Sequence, residues 1–268
     1  MKVRSGIELS SLSDIGCLRT NNEDSFGYWE PEDDREFPRK GRLAVVADGM
    51  GGYEGGQEAS RLAVETLVAV YRDSAGNDPQ AALIEALQAA HHQIRQYSFA
   101  HPELRGMGTT CTAAAIVRGA HRGADGGQSG GGDYDALYYV HVGDSRLYLI
   151  RDGQIHRVTR DHSYVGRLVE AGMISAEEAE THPQRNILTA ALGTNPDLIM
   201  DSPGFPEPLR HQDVLLICTD GLWGQVRDPE ILAAVENKSA ELAGRELIEL
   251  ARERGGPDNI TVEILRLR

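Results

Sequence analysis

Four apolar runs in this chain each abut an acidic turn, and this limits its fold more than any other feature. Leu43–Ala47 leads into Asp48-Gly49, Tyr138–Val142 into Gly143-Asp144, and Val214–Cys218 into Thr219-Asp220-Gly221; Asp258-Asn259 opens onto Ile260-Thr261-Val262. A short apolar run bounded by turn residues reads as a buried strand. An Asp at the end of such a strand stands on a rigid element and still faces solvent. One Asp of this kind is ordinary turn chemistry. Several in one chain, with Arg19 and Glu23-Asp24 upstream, point to a scattered carboxylate cage for divalent metal.

The order of elements sets the fold class. Strands are expected at Ile7–Leu12, Asp24–Tyr28 and Leu43–Ala47, with Glu30–Arg42 as an exposed charged loop. Five glycines fall within Asp48–Gly56, a backbone suited to tight turns and close approach. Two helices follow, marked by Ala59, Leu62, Ala63, Leu67, Val70 and by Leu83, Ile84, Leu87, Ile94, Tyr97. Asp78 and Pro79 form the start signal of the second. His91 and His92 lie on it without a carboxylate at ligand spacing and read as surface or packing residues.

A strand meander is expected over Thr109–Val117, Leu137–Val142, Arg146–Ile150 and Gln154–Val158, paired antiparallel, with Asp152-Gly153 as a hairpin turn. The stretch from about 119 to 135 holds seven glycines and reads as a flexible hairpin-tip insertion. Asp161–Leu188 is helical in pattern but broken at Gly172 and Pro183. Helices are expected at Asp228–Glu236 and Ala240–Arg254, the second with Leu242, Leu247 and Leu250 inward, and a last strand at Ile260–Leu265. Helices thus come in pairs rather than alternating with strands. That predicts an α+β fold, a central sandwich of two antiparallel β-sheets covered by antiparallel helix pairs.

Composition excludes several classes. The 268 residues, without a linker, predict a single domain over 1–268. Asp and Glu number 41 against 27 Lys and Arg, a net charge of -14, which argues against nucleic-acid binding. Bound cations would offset the repulsion of an anionic substrate. Cys17, Cys111 and Cys218 are far apart and lack CxxC spacing, which fits a reducing compartment. No run approaches the ~20 apolar residues of a membrane span. A cytoplasmic monomer with no membrane contact is expected.

Eight motifs in this order resemble the metal-dependent serine/threonine protein phosphatases of type 2C (PPM family). They are Arg19-Thr-Asn-Asn-Glu-Asp24, Val46-Ala-Asp-Gly-Met-Gly-Gly52, Gly108-Thr-Thr110, Val142-Gly-Asp-Ser-Arg146, Thr159-Arg-Asp-His-Ser163, Asn186–Gly193, Thr219-Asp-Gly-Leu-Trp223 and Asp258-Asn-Ile-Thr261. The resemblance implies a four-layer αββα sandwich and hydrolysis of phosphoserine or phosphothreonine on proteins, opposing a Ser/Thr kinase. It implies two to three Mn²⁺ or Mg²⁺ ions, hard cations that take oxygen ligands. Asp48 would bridge two metals, the Gly49 carbonyl would ligate one, and Asp220 and Asp258 would complete the first site. Asp24 would contact the second metal, with Glu23 a further ligand in some relatives, and Asn259 would orient Asp258. Asp144, shared with Asp220, would hold a third ion. Arg19 would clamp phosphate. Asp144 and Asp258 also have ordinary uses as turn residues, and Arg19 as a surface cation.

Some members carry His after the Asp-Gly of the second motif; here that position is Met50, which has no proton to give. His162 reads as an anchor after the hairpin rather than a replacement acid. Residues 164–188 align with the family's flap, with Gly172 as a hinge candidate. The partner is expected to be a phosphorylated protein, a Ser/Thr kinase or its target. Two other classes compete: a non-catalytic phosphoprotein-binding module, which would have lost metal ligands, and a hydrolase of small phosphate esters, which would need an enclosing pocket.

Overall fold

The structure, a computed structural model, describes residues 3–51, 55–119 and 134–268. In chain order the elements are β1 (Ile7–Asp14), β2 (Asp24–Trp29), α1 (Phe37–Lys40), β3 (Arg42–Met50), α2 (Gly55–Asp73), α3 (Pro79–Ala100), β4 (Gly108–Thr109), β5 (Cys111–Gly119), β6 (Tyr134–Val142), β7 (Arg146–Arg151) and β8 (Gln154–Arg157). There follow α4 (Tyr164–Glu170), α5 (Ala176–Glu180), β9 (Glu207–Pro208), β10 (Val214–Cys218), α6 (Asp220–Trp223), α7 (Asp228–Val235), α8 (Ala240–Glu253) and β11 (Ile260–Leu267).

Two antiparallel sheets stack face to face. The first runs β1-β11-β10-β7-β8; the second runs β2-β3-β5-β6-β9, with β4 added to β3. Strand alternation sorts the apolar residues into layers. Val46, Ile116, Leu147, Ile217 and Leu265 fill the space between the sheets. Val45 and Ala113 face outward from the second sheet onto Leu67 and Leu83 of α2 and α3. Leu216 and Val262 face outward from the first onto Ile231 and Leu247 of α7 and α8. The expected αββα sandwich is therefore what forms. Among the described residues no helix is long and apolar enough to cross a membrane.

Local chemistry sets the boundaries. The Asp78 carboxylate accepts from the Gln80 and Ala81 amides and starts α3. Asp152 and Gly153 have φ of 52 and 71, the left-handed pair that joins β7 to β8. Gly172, at φ 66, follows the end of α4, and the Ser175–Glu178 capping box opens α5. The broken helical pattern after Asp161 is thus two short helices.

Four expectations need correction or limits. β6 and β7 do not pair; the chain crosses from the second sheet to the first at Gly143-Asp144-Ser145. The charged loop 30–42 is not uniformly exposed, because Lys40 and Arg42 are buried. The Lys40 ammonium donates to the Tyr71 and Ser74 carbonyls at 2.7 and 2.6 Å, and Arg42 Nη2 to the Ser5 carbonyl at 2.7 Å. Leu242 is exposed, whereas Leu247 is buried as expected and Leu250 partly so. Of the Gly-rich insertion, residues 120–133 lie outside the described residues.

Candidate active site

The acidic turns converge at one end of the sandwich. Asp24 and Asp48 are register partners across β2 and β3. Thr110 ties Asp48 to the sheet-crossing turn. Its amide donates to the Asp48 carbonyl at 2.9 Å, its Oγ1 accepts from the Asp48 amide at 2.9 Å, and that hydroxyl bonds Ser145 Oγ at 2.7 Å. Asp220 begins α6 directly after β10, and the Thr219 amide donates to the Thr261 carbonyl beside the Asp258 turn. Asp220 and Asp258 from the first sheet, and Asp144 from the crossing turn, thus gather near Asp24 and Asp48 of the second.

Asp24 shows how tightly one carboxylate is placed. Its Oδ2 accepts from the Thr219 and Thr261 hydroxyls at 2.9 and 2.7 Å, while its Oδ1 is buried without a partner. Burial pushes its carboxyl up to about 7, against those two hydrogen bonds, which favour the ionised form. Burial raises Asp220 to about 6, with the Asp258 charge adding to it, and Asp220 Oδ1 is also buried without a partner. Asp48 is held well above the ordinary carboxylate range by burial and then by the charges of Asp24, Asp220, Asp144 and Asp258. Asp144 is raised in the same way, by burial and then by Asp220 and Asp161. Four buried or half-buried acids whose charges raise one another's proton affinity form a site short of positive charge.

The outer rim is built by backbone and amide contacts. The Gly49 amide donates to the Glu23 carbonyl at 3.1 Å, and a Cβ on Gly49 would collide with the Gly56 carbonyl. Backbone packing therefore requires glycine here. The Glu23 carboxylate lies against Gly56, and burial raises its proton affinity. Asp258 Oδ1 accepts from the Asn259 amide at 2.8 Å, and Oδ2 accepts from Arg19 Nη2 at 2.7 Å. The Asn259 side chain turns away from the Asp258 carboxylate. It accepts from the Glu23 amide at 2.8 Å and donates to the Ile15 and Asn21 carbonyls, each at 2.9 Å. Asn259 thus organises the loop that carries Arg19 and Glu23.

Met50 pairs with Gly108 at the rim and brings no titratable group. His162 anchors as expected: its amide donates to the Gly143 carbonyl at 2.7 Å and its Nδ1 accepts from the Gly143 amide at 3.3 Å. His91 is buried on α3, where Nδ1 accepts from the Gly193 amide at 3.2 Å, a packing role. Thr219, Thr261 and Trp223 are the residues that motif reading left without a role. Their signal was present in Thr219-Asp-Gly-Leu-Trp223 and Asp258-Asn-Ile-Thr261, whose non-acidic members turn out to hold the acids.

The donor set suits a hard divalent cation. All side-chain donors are carboxylate oxygens, two are buried and unpartnered, and mutual repulsion favours an added positive charge. As they stand, no three His, Cys, Asp or Glu side chains among the described residues close around one point. Asp258 is instead turned to Arg19. The residues fit the ion by the chemistry of their oxygen donors.

Comparison with known proteins gives the family of the chain. Residues 19–253 match the family described as Protein phosphatase 2C. The chain is 37% identical over 261 residues to the serine/threonine protein phosphatase PstP of Mycobacterium tuberculosis, covering 96% of this chain but 44% of that protein. It thus spans less than half the length of that relative. It is 34% identical to the protein phosphatase PhpP of Streptococcus pneumoniae, covering 97% of this chain and 98% of that one. Among solved structures, the serine/threonine phosphatase Stp1 of Staphylococcus aureus superposes with a TM-score of 0.83 at 32% identity, covering 100% and 97% of the two chains. The catalytic domain of PstP in complex with two manganese ions superposes at 0.76 with 34% identity and 98% coverage of each. On this match across nearly its whole length, the chain belongs to the protein phosphatase 2C family.

Proposed function

We propose that the chain is a single catalytic domain that hydrolyses phosphoserine and phosphothreonine on proteins with Mn²⁺ or Mg²⁺, opposing a Ser/Thr kinase. The observation that carries this is the group of buried Asp144 with half-buried Asp24, Asp48 and Asp220, two of whose oxygens are buried without a partner. Asp48, Asp220, Asp258 and the Gly49 carbonyl would hold one ion. Asp48, Asp24 and the less central Glu23 would serve a second, and Asp144 with Asp220 a third. Such ions supply Lewis acidity toward a phosphoryl oxygen and lower the proton affinity of a water nucleophile.

The chain's own residues do the rest. Thr219 and Thr261 hold Asp24 with one oxygen free. Arg19, half-exposed beside Asp258, offers a planar fork to the phosphoryl oxygens as the substrate arrives. Met50 has no proton for the leaving alkoxide, so that proton is delivered from another source. A phosphorylated kinase or its target fits a site set at the rim of a sandwich. Purified protein should dephosphorylate a phosphothreonine peptide with Mn²⁺ and stop with chelator. Binding of the peptide without turnover would favour a non-catalytic module, and turnover of small esters alone would favour a metabolite hydrolase.

A further inference from the structure

The Asp144 turn is held by more than its own strands. Trp223 Nε1 donates to the Asp144 carbonyl at 2.9 Å, and Trp223 ends the same helical turn that Asp220 begins. One indole thus joins the two aspartate-bearing segments. The Arg146 guanidinium lies 3.6 Å from the centre of that ring, at cation–π distance. The same guanidinium forks onto Asp161, Nε to Oδ1 at 3.1 Å and Nη2 to Oδ2 at 2.8 Å, and reaches the Tyr148 hydroxyl at 3.2 Å. Asp161 stands two residues before Ser163, whose hydroxyl accepts from the Gly166 amide and caps α4. From α4 the chain runs on through residues 164–188.

We propose that Arg146 is a positioning residue that fixes the spacing of Asp144 and Asp220 and ties it to the start of α4. This rests on the reading of those aspartates as cation ligands. The fork and the ring stack are the substance of the inference. Its hydrogen bonds go to Asp161 and Tyr148, and its charge reaches Asp144 only through space. A Lys would bring the same charge but neither the planar fork nor the flat face. If charge is all that counts, Lys serves; if placement counts, it fails. Trp223→Phe cuts the link at its other end, keeping a ring for the guanidinium while losing the bond to the Asp144 carbonyl.

The test compares wild type, Arg146→Lys and Trp223→Phe by amide hydrogen exchange without metal and by calorimetric titration with Mn²⁺. Peptide kinetics are run on the same samples. Arg146→Lys should speed exchange across 164–170 and weaken the weakest Mn²⁺ site, each by roughly tenfold, the scale of one lost charge-assisted bond. Turnover should fall more than the Michaelis constant changes. Trp223→Phe should weaken the same Mn²⁺ site while exchange across 164–170 stays at wild-type rate. If Arg146→Lys matches wild type in exchange and Mn²⁺ titration, the inference is overturned. Should that variant fail to fold by circular dichroism, an unchanged Mn²⁺ isotherm for Trp223→Phe overturns it alone. Wild type that binds no Mn²⁺ would instead sink the cation reading, and this inference with it.

Discussion

Arg19 donates to Asp258 at 2.7 Å, so the guanidinium expected to grip phosphate rests on a carboxylate expected to grip a cation. The two side chains are 51% and 34% exposed, and a pair this open is worth little to stability. It is therefore easily exchanged for a phosphoryl group on one side and a cation on the other. Arg19→Ala should raise the Michaelis constant roughly ten- to hundredfold, matching a charge-assisted bond of about 1.5–3 kcal/mol. Mn²⁺ affinity should not fall. An intact Michaelis constant with weakened Mn²⁺ binding would mean that Arg19 orients its neighbours instead.

Asp144 separates a ligand from a turn residue. Its carboxyl is buried and its carbonyl is held by Trp223. Asp144→Ala keeps that backbone bond and removes only the carboxylate. The variant should bind two Mn²⁺ ions with wild-type affinity, lose a weaker one, and turn over more slowly. Unchanged stoichiometry and rate would return Asp144 to plain turn chemistry.

Glu263 gives a pH signature away from the site. It is buried between the sheets, with Ser11 Oγ donating to Oε1 at 2.8 Å and Oε2 without a partner. Burial pushes its carboxyl up to about 8. The folded protein then keeps a proton that the unfolded chain releases above about 4.5, so this group's contribution to stability falls as pH rises from about 4.5 to about 8. Glu263→Gln keeps an acceptor for Ser11 and removes the titration. Urea unfolding should show the wild type losing on the order of a few kcal/mol more than the variant across that window. Parallel pH profiles for the two proteins would show that Glu263 is not held protonated.

Much of the fold was legible because burial on both faces writes continuous apolar runs. Leu43–Ala47 and Val214–Cys218 are fully buried strands, and their flanking acids mark the site. The sheet crossing at Gly143-Asp144-Ser145 was not legible, since three turn residues between strands look the same whether the strands pair or part. Gly143, at φ 104, makes that turn possible without announcing its direction. Lys40 and Arg42 were misread because burial of a charge depends on distant partners, here the Ser74 and Ser5 carbonyls. Asn259 was expected to orient Asp258, but its partners Ile15, Asn21 and Glu23 lie more than 200 residues away in sequence. Spacing can identify the acids; it cannot identify what holds them.

The central claim is that this acid cluster binds divalent cations and that hydrolysis depends on them. Calorimetric titration of metal-stripped protein with Mn²⁺, for wild type and Asp220→Asn, with phosphothreonine-peptide hydrolysis read on the same samples, tests it most directly. Wild type should bind two to three ions and hydrolyse the peptide only once they are bound. Asp220→Asn should keep its circular dichroism, bind Mn²⁺ weakly, and lose at least about a hundredfold in rate, the scale of removing a ligand shared by two ions. Full hydrolysis by stripped wild type, or wild-type binding and rate in Asp220→Asn, would contradict the account.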